Sequence, residues 1–126
     1  IEQTQNDLFA DRQLRLMIEN GNRQVVGIVD LCSFDPLHNR AEVGIMVDKS
    51  CRRQGIGRNA FALLEEHCFR YLGIHQLFAY IAVENLPSRR LFAACGYKES
   101  AVLKEWAHTF GGGYTDVLVV QKLNLS

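Results

Sequence analysis

The chain has 126 residues, of which 48% are hydrophobic and 22% charged, as in an ordinary globular domain. Its 14 basic and 14 acidic residues balance, which argues against a general polyanion binder, because nucleic-acid-binding domains usually carry net positive charge. No segment is long and apolar enough to span a bilayer, and the N-terminus shows no secretory signal pattern. We therefore expect one domain over residues 1–126, with neither a nucleic acid nor a membrane as its partner.

The cysteines and the first residue carry further information. Cys32, Cys51, Cys68 and Cys95 form no C-x-x-C pair, so we expect no zinc or other metal site. A disulfide framework does not fit this size and cysteine density, which favours a reducing cytoplasm. Because the chain begins at Ile1 rather than Met, we expect a fragment or an N-terminally trimmed domain.

The strands come first in the predicted order of elements. Residues 1–11 are polar and fit the end of a helix, while Asn20-Gly21-Asn22 and Asp35-Pro36 act as turn and breaker signals. Gly44 indicates a bulge or a point of close approach. The apolar and β-branched stretches predict strands at Gln13–Glu19, Val25–Phe34, Glu42–Val47, Gln76–Val83, Tyr97–His108 and Tyr114–Leu123.

Two helices interrupt this series of strands. A three- and four-residue spacing predicts an amphipathic helix from Ile56 to Leu72, ended by Gly73. A shorter helix runs from Pro87 to about Ala94. The strand, helix and strand from Glu42 to Val83 form a βαβ crossover, so the fold class is α+β with a mixed sheet. The apolar stripe of the long helix is predicted at Ile56, Ala60, Leu63, Leu64, His67, Cys68 and Tyr71.

The loop Arg52-Arg53-Gln54-Gly55-Ile56-Gly57 leads from a strand into the long helix. The first turn of a helix leaves backbone N–H groups unpaired, and the helix dipole adds about half a positive charge there. Glycines let the backbone approach a ligand, and Lys49 and Arg58 add charge, so a pyrophosphate fits this helix start. A solvated basic helix start is the alternative, because the P-loop pattern is absent and the dinucleotide fingerprint is matched only loosely.

A second segment follows the next strand and reads N-L-P-S-R-R-L-F-A-A-C-G-Y from Asn85 to Tyr97. Taken alone, Asn85 is best explained as a helix N-cap. Taken together, the two segments resemble the motifs of the GNAT superfamily of N-acetyltransferases. The family pattern R/Q-x-x-G-x-G/A matches Arg52, Gly55 and Gly57. The pattern N-x-x-[SA]-x-x-L-[YF]-x-x-x-G-[FY] matches Asn85, Ser88, Leu91, Phe92, Gly96 and Tyr97.

The resemblance covers about Leu14 to Leu123, and it implies a particular version of the sheet. It implies a mostly antiparallel sheet whose central parallel strands splay apart, flanked by helices. Residues Glu42–Val47 and Gly113–Asp116 look most like the branch with spermidine/spermine and ribosomal-protein N-terminal acetyltransferases. Family members begin with a strand and one or two helices that help to wall the acceptor site, and this chain is expected to lack that first strand and helix.

The resemblance also implies where acetyl-CoA, the cosubstrate, would bind. Its pantetheine arm would pair with the backbone of Ile45, Met46 and Val47, where an N–H group would also stabilise the oxyanion. Asn85 would meet the pantetheine or a water molecule, and Phe92 would pack near the thioester. Arg89 or Arg90 could reach a remaining phosphate. The pyrophosphate would be held by the loop residues Arg52, Arg53, Gln54, Gly55, Ile56, Gly57 and Arg58.

Direct attack by an amine on the thioester needs a proton acceptor. A free alkyl amine has a pKa of about 10.4, so its neutral form costs about 4 kcal/mol near pH 7.4. Glu42 is the candidate base, with an ordinary strand-face ion pair as the alternative. Phe92 stands where many members carry a tyrosine that protonates the thiolate. Tyr97 fits a packed Gly-Tyr pair, which leaves Tyr114 as the candidate catalytic hydroxyl.

The leading hypothesis is an N-acetyltransferase for a primary amine, either a polyamine such as spermidine or a protein N-terminus. The alternative is a catalytically weak acyl-CoA-binding sensor, which Phe92 and the missing N-terminal part favour slightly. A nucleotide-binding domain is a third class, against which the absent P-loop lysine argues. A homodimer is also expected, because a missing first strand leaves a sheet edge that a second chain can pair with.

Overall fold

The computed structural model describes residues 2–3, 13–47 and 55–125. Within these residues, seven strands form one sheet in the order β1-β2-β3-β4-β5-β7-β6. All neighbouring strands are antiparallel except β4 and β5, which run parallel. The predicted α+β fold with a mixed, mostly antiparallel sheet is therefore confirmed. The strands are β1 (Glu2–Gln3), β2 (Leu14–Glu19), β3 (Val25–Asp35), β4 (Arg40–Val47), β5 (Gln76–Ala82), β6 (Lys98–His108) and β7 (Tyr114–Leu123).

One local prediction in this sheet was wrong, and another loses one of its two alternatives. The segment expected to end a helix contains β1, whose two residues pair with Met17 and Leu16 of β2. A polar sequence gives no sign of such pairing, because the edge of β2 supplies the hydrogen-bonding partners. Of the two alternatives at Gly44, the bulge is absent, since the β3–β4 register runs evenly through its pairing with Asp30. The point of close approach stays a prediction.

The long helix has two parts. Helix α1 (Ile56–Glu65) continues into a π-helical segment (Glu66–Tyr71), in which Leu72 donates its N–H to the carbonyl of His67. The extent of the helix was predicted correctly, but its regularity and part of its apolar stripe were not. Leu63 and Tyr71 are exposed, because the face that packs on the sheet is centred one position away. That face consists of Ala60, Phe61, Leu64, Glu65 and Cys68.

Helix α2 (Leu86–Ala94) begins as the sequence predicts. The side-chain oxygen of Asn85 accepts a hydrogen bond from the backbone N–H of Ser88 at 3.3 Å, and Pro87 occupies the first turn. This is the arrangement of an N-cap, which satisfies one of the free N–H groups of the helix. No helix in the described part of the chain is long and apolar enough to cross a membrane.

The two helices pack on one face of the sheet. Along β4, Ala41 and Val43 are buried against them, whereas Glu42 and Met46 point to the opposite face. Alternate residues of a strand lie on opposite faces, so the strand that fills the core also presents a carboxylate on the uncovered side. The core combines the sheet residues Leu14, Leu16, Val29, Leu31, Val43, Leu77, Ala79 and Val120 with the helix-side residues Phe61, Leu64, Phe92 and Tyr97.

Candidate functional site

Strands β4 and β5 part after three pairs of residues. The last pair joins Glu42 and Phe78. Beyond it, β4 continues to Val47 paired with β3 alone, and β5 continues to Ala82 paired with β7 alone. We call the space between Val43–Val47 and Ala79–Ala82 the fork. At about 3.3 Å per residue, the fork leaves about 16 Å of the β4 backbone edge without a strand partner.

The start of α1 lies beside this fork. Gly55 caps the helix in the left-handed conformation (φ 77°, ψ 4°), no side chain caps it, and its first turn contains no acidic residue. The first helical hydrogen bond runs from the N–H of Asn59 to the carbonyl of Gly55 at 3.0 Å, so the N–H groups of the residues between them precede the ladder. This helix end has the features of an anion site.

Gly57 brings the two sequence motifs into contact. A Cβ atom at this position would lie 3.2 Å and 3.3 Å from the two Cδ atoms of Leu91 in α2, and 3.6 Å from Cδ1 of Ile45 in β4. The absent side chain thus lets α1 approach α2 and the fork. In the sequence, Leu91 was recognised only as a match to the family pattern. Its contact with Gly57 was missed because no local signal pairs two helices.

Part of the predicted cofactor loop cannot be placed. Arg52, Arg53 and Gln54 lie outside the described residues. Of the remaining loop residues, Gly55 and Arg58 are exposed, and Ile56 is partly buried. On β4, Ile45 is packed against the core and Met46 is exposed on the opposite face. The backbone of Val47 extends to the open end of the fork.

Glu42 lies at the vertex of the fork, on the face that the helices leave uncovered. Its neighbours across the strands are Cys32 and Phe78. The side chain is partly buried, and this burial raises the pKa of its carboxyl group above the usual glutamate value. Within the described part of the chain it forms no ion pair.

Asn85 lies just past the carboxyl end of β5, where its backbone N–H donates to the carbonyl of Ala82 at 2.9 Å. Its exposed side chain caps α2 through the oxygen. The side-chain amide nitrogen donates no hydrogen bond to the described residues. A cap and a ligand contact are therefore compatible, because the two roles use different atoms of one side chain.

Phe92 belongs to a buried aromatic cluster. Its ring centroid lies 5.0 Å from that of Phe61 and 4.9 Å from that of Tyr97, and its side chain is almost fully buried. Tyr97 is packed as predicted, and burial, aided by the negative charge of Glu65, raises the pKa of its hydroxyl. The cluster packs α2 onto the core, so Phe92 contributes to the hydrophobic core in addition to any contact with a ligand.

The two candidate catalytic side chains lie far apart. Tyr114 is exposed at the start of β7, with its ring 5.1 Å from that of His108. Across the sheet, Glu42 of β4 pairs with Phe78 of β5, and Phe78 pairs with Gln121 of β7. Tyr114 lies seven residues from Gln121 along β7. At about 3.3 Å per residue, this places Tyr114 roughly 23 Å away along the strand direction. The two side chains therefore lie at different positions along the sheet, and the catalytic role of each stays a prediction.

Arg89, one of the two arginines considered for a phosphate, is already engaged. Its guanidinium group donates to both carboxylate oxygens of Glu99 at 3.1 Å and 3.3 Å and to the carbonyl of Val83 at 3.0 Å. These bonds fasten α2 to β6 and to the end of β5. Arg90 is exposed, so it is the more available cation on this helix.

Comparisons with known proteins agree with this geometry. Residues 2–98 match the model of the acetyltransferase (GNAT) domain family. A spermidine N(1)-acetyltransferase of Vibrio cholerae is 26% identical over 118 residues, which cover 93% of this chain and 68% of that protein. An N-acetyltransferase 9-like protein of Nematostella vectensis is 34% identical over 96 residues, which cover 69% of this chain and 48% of that protein.

Solved structures show the same similarity in three dimensions. The dodecameric structure of spermidine N-acetyltransferase from Vibrio cholerae matches with a TM-score of 0.84 and 25% identity, covering 93% of this chain and 70% of that chain. The N152L mutant of the Vibrio cholerae enzyme SpeG matches with a TM-score of 0.83 and 26% identity, covering 89% of this chain and 64% of that one. The chain therefore spans about two thirds of the length of these enzymes.

Proposed function

Because the chain belongs to the GNAT acetyltransferase family, it is an acetyltransferase domain, and we propose that it transfers the acetyl group of acetyl-CoA to a primary amine of a polyamine such as spermidine. The observation that carries this proposal is the fork between β4 and β5 with the uncapped start of α1 beside it. One site offers an unpaired strand edge and an anion-binding helix end. Those two features match the extended arm and the pyrophosphate of one molecule.

The described residues fit acetyl-CoA as a substrate. The backbone of Ile45, Met46 and Val47 would pair with the pantetheine arm, as an added strand pairs with a free sheet edge. The N–H groups at the start of α1 would hold the pyrophosphate, together with Gly55, Ile56, Gly57 and Arg58 and the undescribed Arg52, Arg53 and Gln54. The exposed amide nitrogen of Asn85 is available to the arm at the open end of the fork, and Phe92 supports this region from the core.

The chemistry needs one proton acceptor near the amine. The amine nitrogen forms a bond to the thioester carbon, the carbon–sulfur bond breaks, and the amine proton passes to Glu42 directly or through water. A carboxyl pKa raised by burial makes Glu42 a better base near neutral pH than an ordinary glutamate. The thiolate leaves without a dedicated acid, because a thiol pKa of about 8.5 makes its free form cost only about 1.5 kcal/mol at neutral pH.

The face on which Glu42 lies supports this choice of acceptor. That face also carries the exposed apolar side chains of Met46 and Tyr80. A polyamine has the complementary composition, since it joins ammonium groups with apolar methylene segments. The Vibrio cholerae relative acts, by its name, on spermidine, which supports the same choice. A protein N-terminus is the competing acceptor.

The test is calorimetry with acetyl-CoA followed by a thiol-release assay with spermidine, spermine and a short peptide with a free N-terminus. We expect acetyl-CoA binding and turnover with the polyamines. Turnover with the peptide alone would replace the proposed acceptor. Binding without turnover on any amine would identify the sensor alternative, which the family relationship does not favour. A folded protein that does not bind acetyl-CoA would refute the placement of the site.

The cytoplasmic location and the homodimer stay predictions. The dodecamer in the relative's structure shows that a protein of this kind assembles, and we infer that this chain can associate too. Gel filtration with light scattering measures its assembly directly.

A further inference from the structure

Three elements meet at the side chain of Lys122 on β7. Its ammonium group donates to the carboxylate of Glu65, the last residue of α1, and to the carbonyl of Cys95 at 2.6 Å. Cys95 is the C-cap of α2, so this cation lies at the negative end of that helix, where it is favoured. One ammonium group thus joins the ends of both helices to the sheet. We call Lys122 and Glu65 the clasp.

The position of the clasp within the domain is well defined. Lys122 pairs with Leu77 of β5 and points to the helix-covered face of the sheet. Gly96, in the left-handed region at φ 90°, passes beside it, and a Cβ atom there would lie 3.4 Å from the ammonium nitrogen. The glycine of the second motif therefore closes α2 and also leaves room for the lysine. The contact between Gly96 and the lysine could not be predicted from local sequence, because it joins two distant segments of the chain.

Stability alone does not explain the clasp. Glu65 is only 8% exposed, and its second carboxylate oxygen is buried without a hydrogen-bond partner among the described residues. Removing two charges from water is expensive, and an incompletely satisfied pair recovers that cost poorly. An apolar pair of similar volume is often as stable. A feature that adds little stability, yet joins α1, α2 and β7, is better explained by a role in positioning these elements.

Helix α1 connects the clasp to the proposed acetyl-CoA site. Eight residues of α1, at about 1.5 Å each, separate Glu65 from Gly57 by about 12 Å. Towards the Gly57 end, α1 meets α2 at the close contact between Gly57 and Leu91 and at the ring contact between Phe61 and Phe92. A helix of this length moves largely as a rigid body, so the separation held at the clasp contributes to the separation at the start of α1, whose first backbone N–H groups precede the helical hydrogen bonds.

We propose that Lys122 and Glu65 are positioning residues for acetyl-CoA binding. They hold the far ends of α1 and α2 in register, and this keeps the uncapped start of α1 beside the fork. The inference rests on the proposed function, since it concerns the same cosubstrate site. Neither side chain contacts the substrates in this arrangement, because each acts through the helix that it holds.

The test is the double variant Glu65→Leu/Lys122→Met, which replaces the clasp by apolar groups without leaving a buried charge. We expect a urea-unfolding midpoint equal to or above that of the parent. We also expect the Kd and KM for acetyl-CoA to rise by about tenfold or more, since displacements near 1 Å in a site have effects of this size. The kcat at saturating acetyl-CoA and the KM for spermidine should stay within about twofold, as the amine site does not depend on the clasp.

A matched control lies on the same helix. Glu66 and Arg70 form an exposed i,i+4 ion pair with an N···O distance of 3.6 Å. The double variant Glu66→Leu/Arg70→Met removes the same charges without touching the clasp. It should bind acetyl-CoA like the parent. Equal weakening in both double variants would assign the effect to charge and overturn the inference.

Two further outcomes are decisive. A folded clasp variant with the parental Kd for acetyl-CoA overturns the positioning role. If the double variant does not fold, Lys122→Arg decides, because it keeps the charge but cannot place a compact ammonium group between Glu65 and Cys95. Weaker acetyl-CoA binding in this variant, with a parental unfolding midpoint, supports the inference, and parental binding refutes it. Failure of the parent protein to bind acetyl-CoA would instead refute the proposed function.

Discussion

Strand β5 pairs with β7 at seven positions and with β4 at only three. The antiparallel β7 side is continuous from Gln76 to Ala82, and the parallel β4 side ends at Phe78. The first side closes the core, and the second opens the fork. If β4 and β5 were paired along their whole length, their backbone groups would be better shielded from solvent, but no backbone edge would be left for a ligand.

The difference between the two sides shows how this domain separates stability from binding. Backbone groups on the β7 side satisfy one another, whereas those in the fork depend on solvent or on a ligand. Changes on the β7 side should therefore lower the free energy of unfolding, and changes in the fork should lower activity. Variants at four positions, each compared with a control or a second variant, test this division.

The largest effect is expected for Glu42→Gln at the vertex of the fork. Removal of a general base lowers kcat/KM by about 10²- to 10⁴-fold, measured by thiol release with acetyl-CoA and spermidine. Because burial raises the pKa of Glu42, parental activity should fall as the pH drops through that raised value. A decrease below tenfold would exclude Glu42 as the base. The exposed Glu66→Gln serves as the control, with activity unchanged.

The same variant should not lose stability. The folded protein holds the Glu42 proton more tightly than the unfolded chain does, so stability falls as the pH rises from the unfolded pKa through the raised folded pKa. Glutamine does not titrate, so the Glu42→Gln variant does not lose stability as the pH rises through this range. Its urea midpoint at pH 7 should equal or exceed that of the parent, and a lower midpoint would mean that the carboxylate has a structural partner.

The next effect tests the paired side of β5. Leu77 is fully buried, so Leu77→Ala should lower the free energy of unfolding by about 2–5 kcal/mol. Met46→Ala is the comparison in the fork, where the side chain is 70% exposed. Its urea-unfolding curve should differ little from that of the parent. Equal losses in the two variants would mean that the fork contributes to the core.

A smaller effect is expected for Gly55→Val at the start of α1. The left-handed φ of 77° costs a β-branched residue about 1–2 kcal/mol of stability. Displacement of the N–H groups should also remove at least one hydrogen bond to a charged phosphate, worth about 1.5–3 kcal/mol, or tenfold or more in Kd for acetyl-CoA. Gly112→Val carries similar strain at φ 88° far from the fork, and calorimetry should show its Kd unchanged.

The smallest effect separates two roles of Asn85. Asn85→Ala removes the N-cap and should cost about 0.5–2 kcal/mol of stability, measured by urea unfolding. Asn85→Asp keeps an acceptor for the Ser88 N–H but loses the amide donor. Normal stability with weaker acetyl-CoA binding in Asn85→Asp would support the contact to the pantetheine. Normal binding would leave Asn85 as a cap alone.

Prediction from the sequence worked where the signals are local. The start of α2 was found because Asn85 and Pro87 have position-specific effects on a helix, and the start of α1 because glycines and cations surround it. The π-helical segment, the exposed Tyr71 and the paired residues Glu2–Gln3 were missed. Each of them depends on packing or pairing with residues far away in the chain, and no short window of sequence contains that information.

The features of the candidate site likewise divide into those set by local sequence and those set by long-range contacts. By itself, the sequence determined the helix starts, the glycine at Gly57 and the presence of a carboxylate at Glu42, because residue type and short-range spacing fix these features. Only the tertiary structure decided that β4 and β5 part after Glu42 and Phe78, that Gly57 meets Leu91, and that Tyr114 lies far from Glu42. Strand pairing and helix contacts join distant residues, so they are settled by the folded chain as a whole.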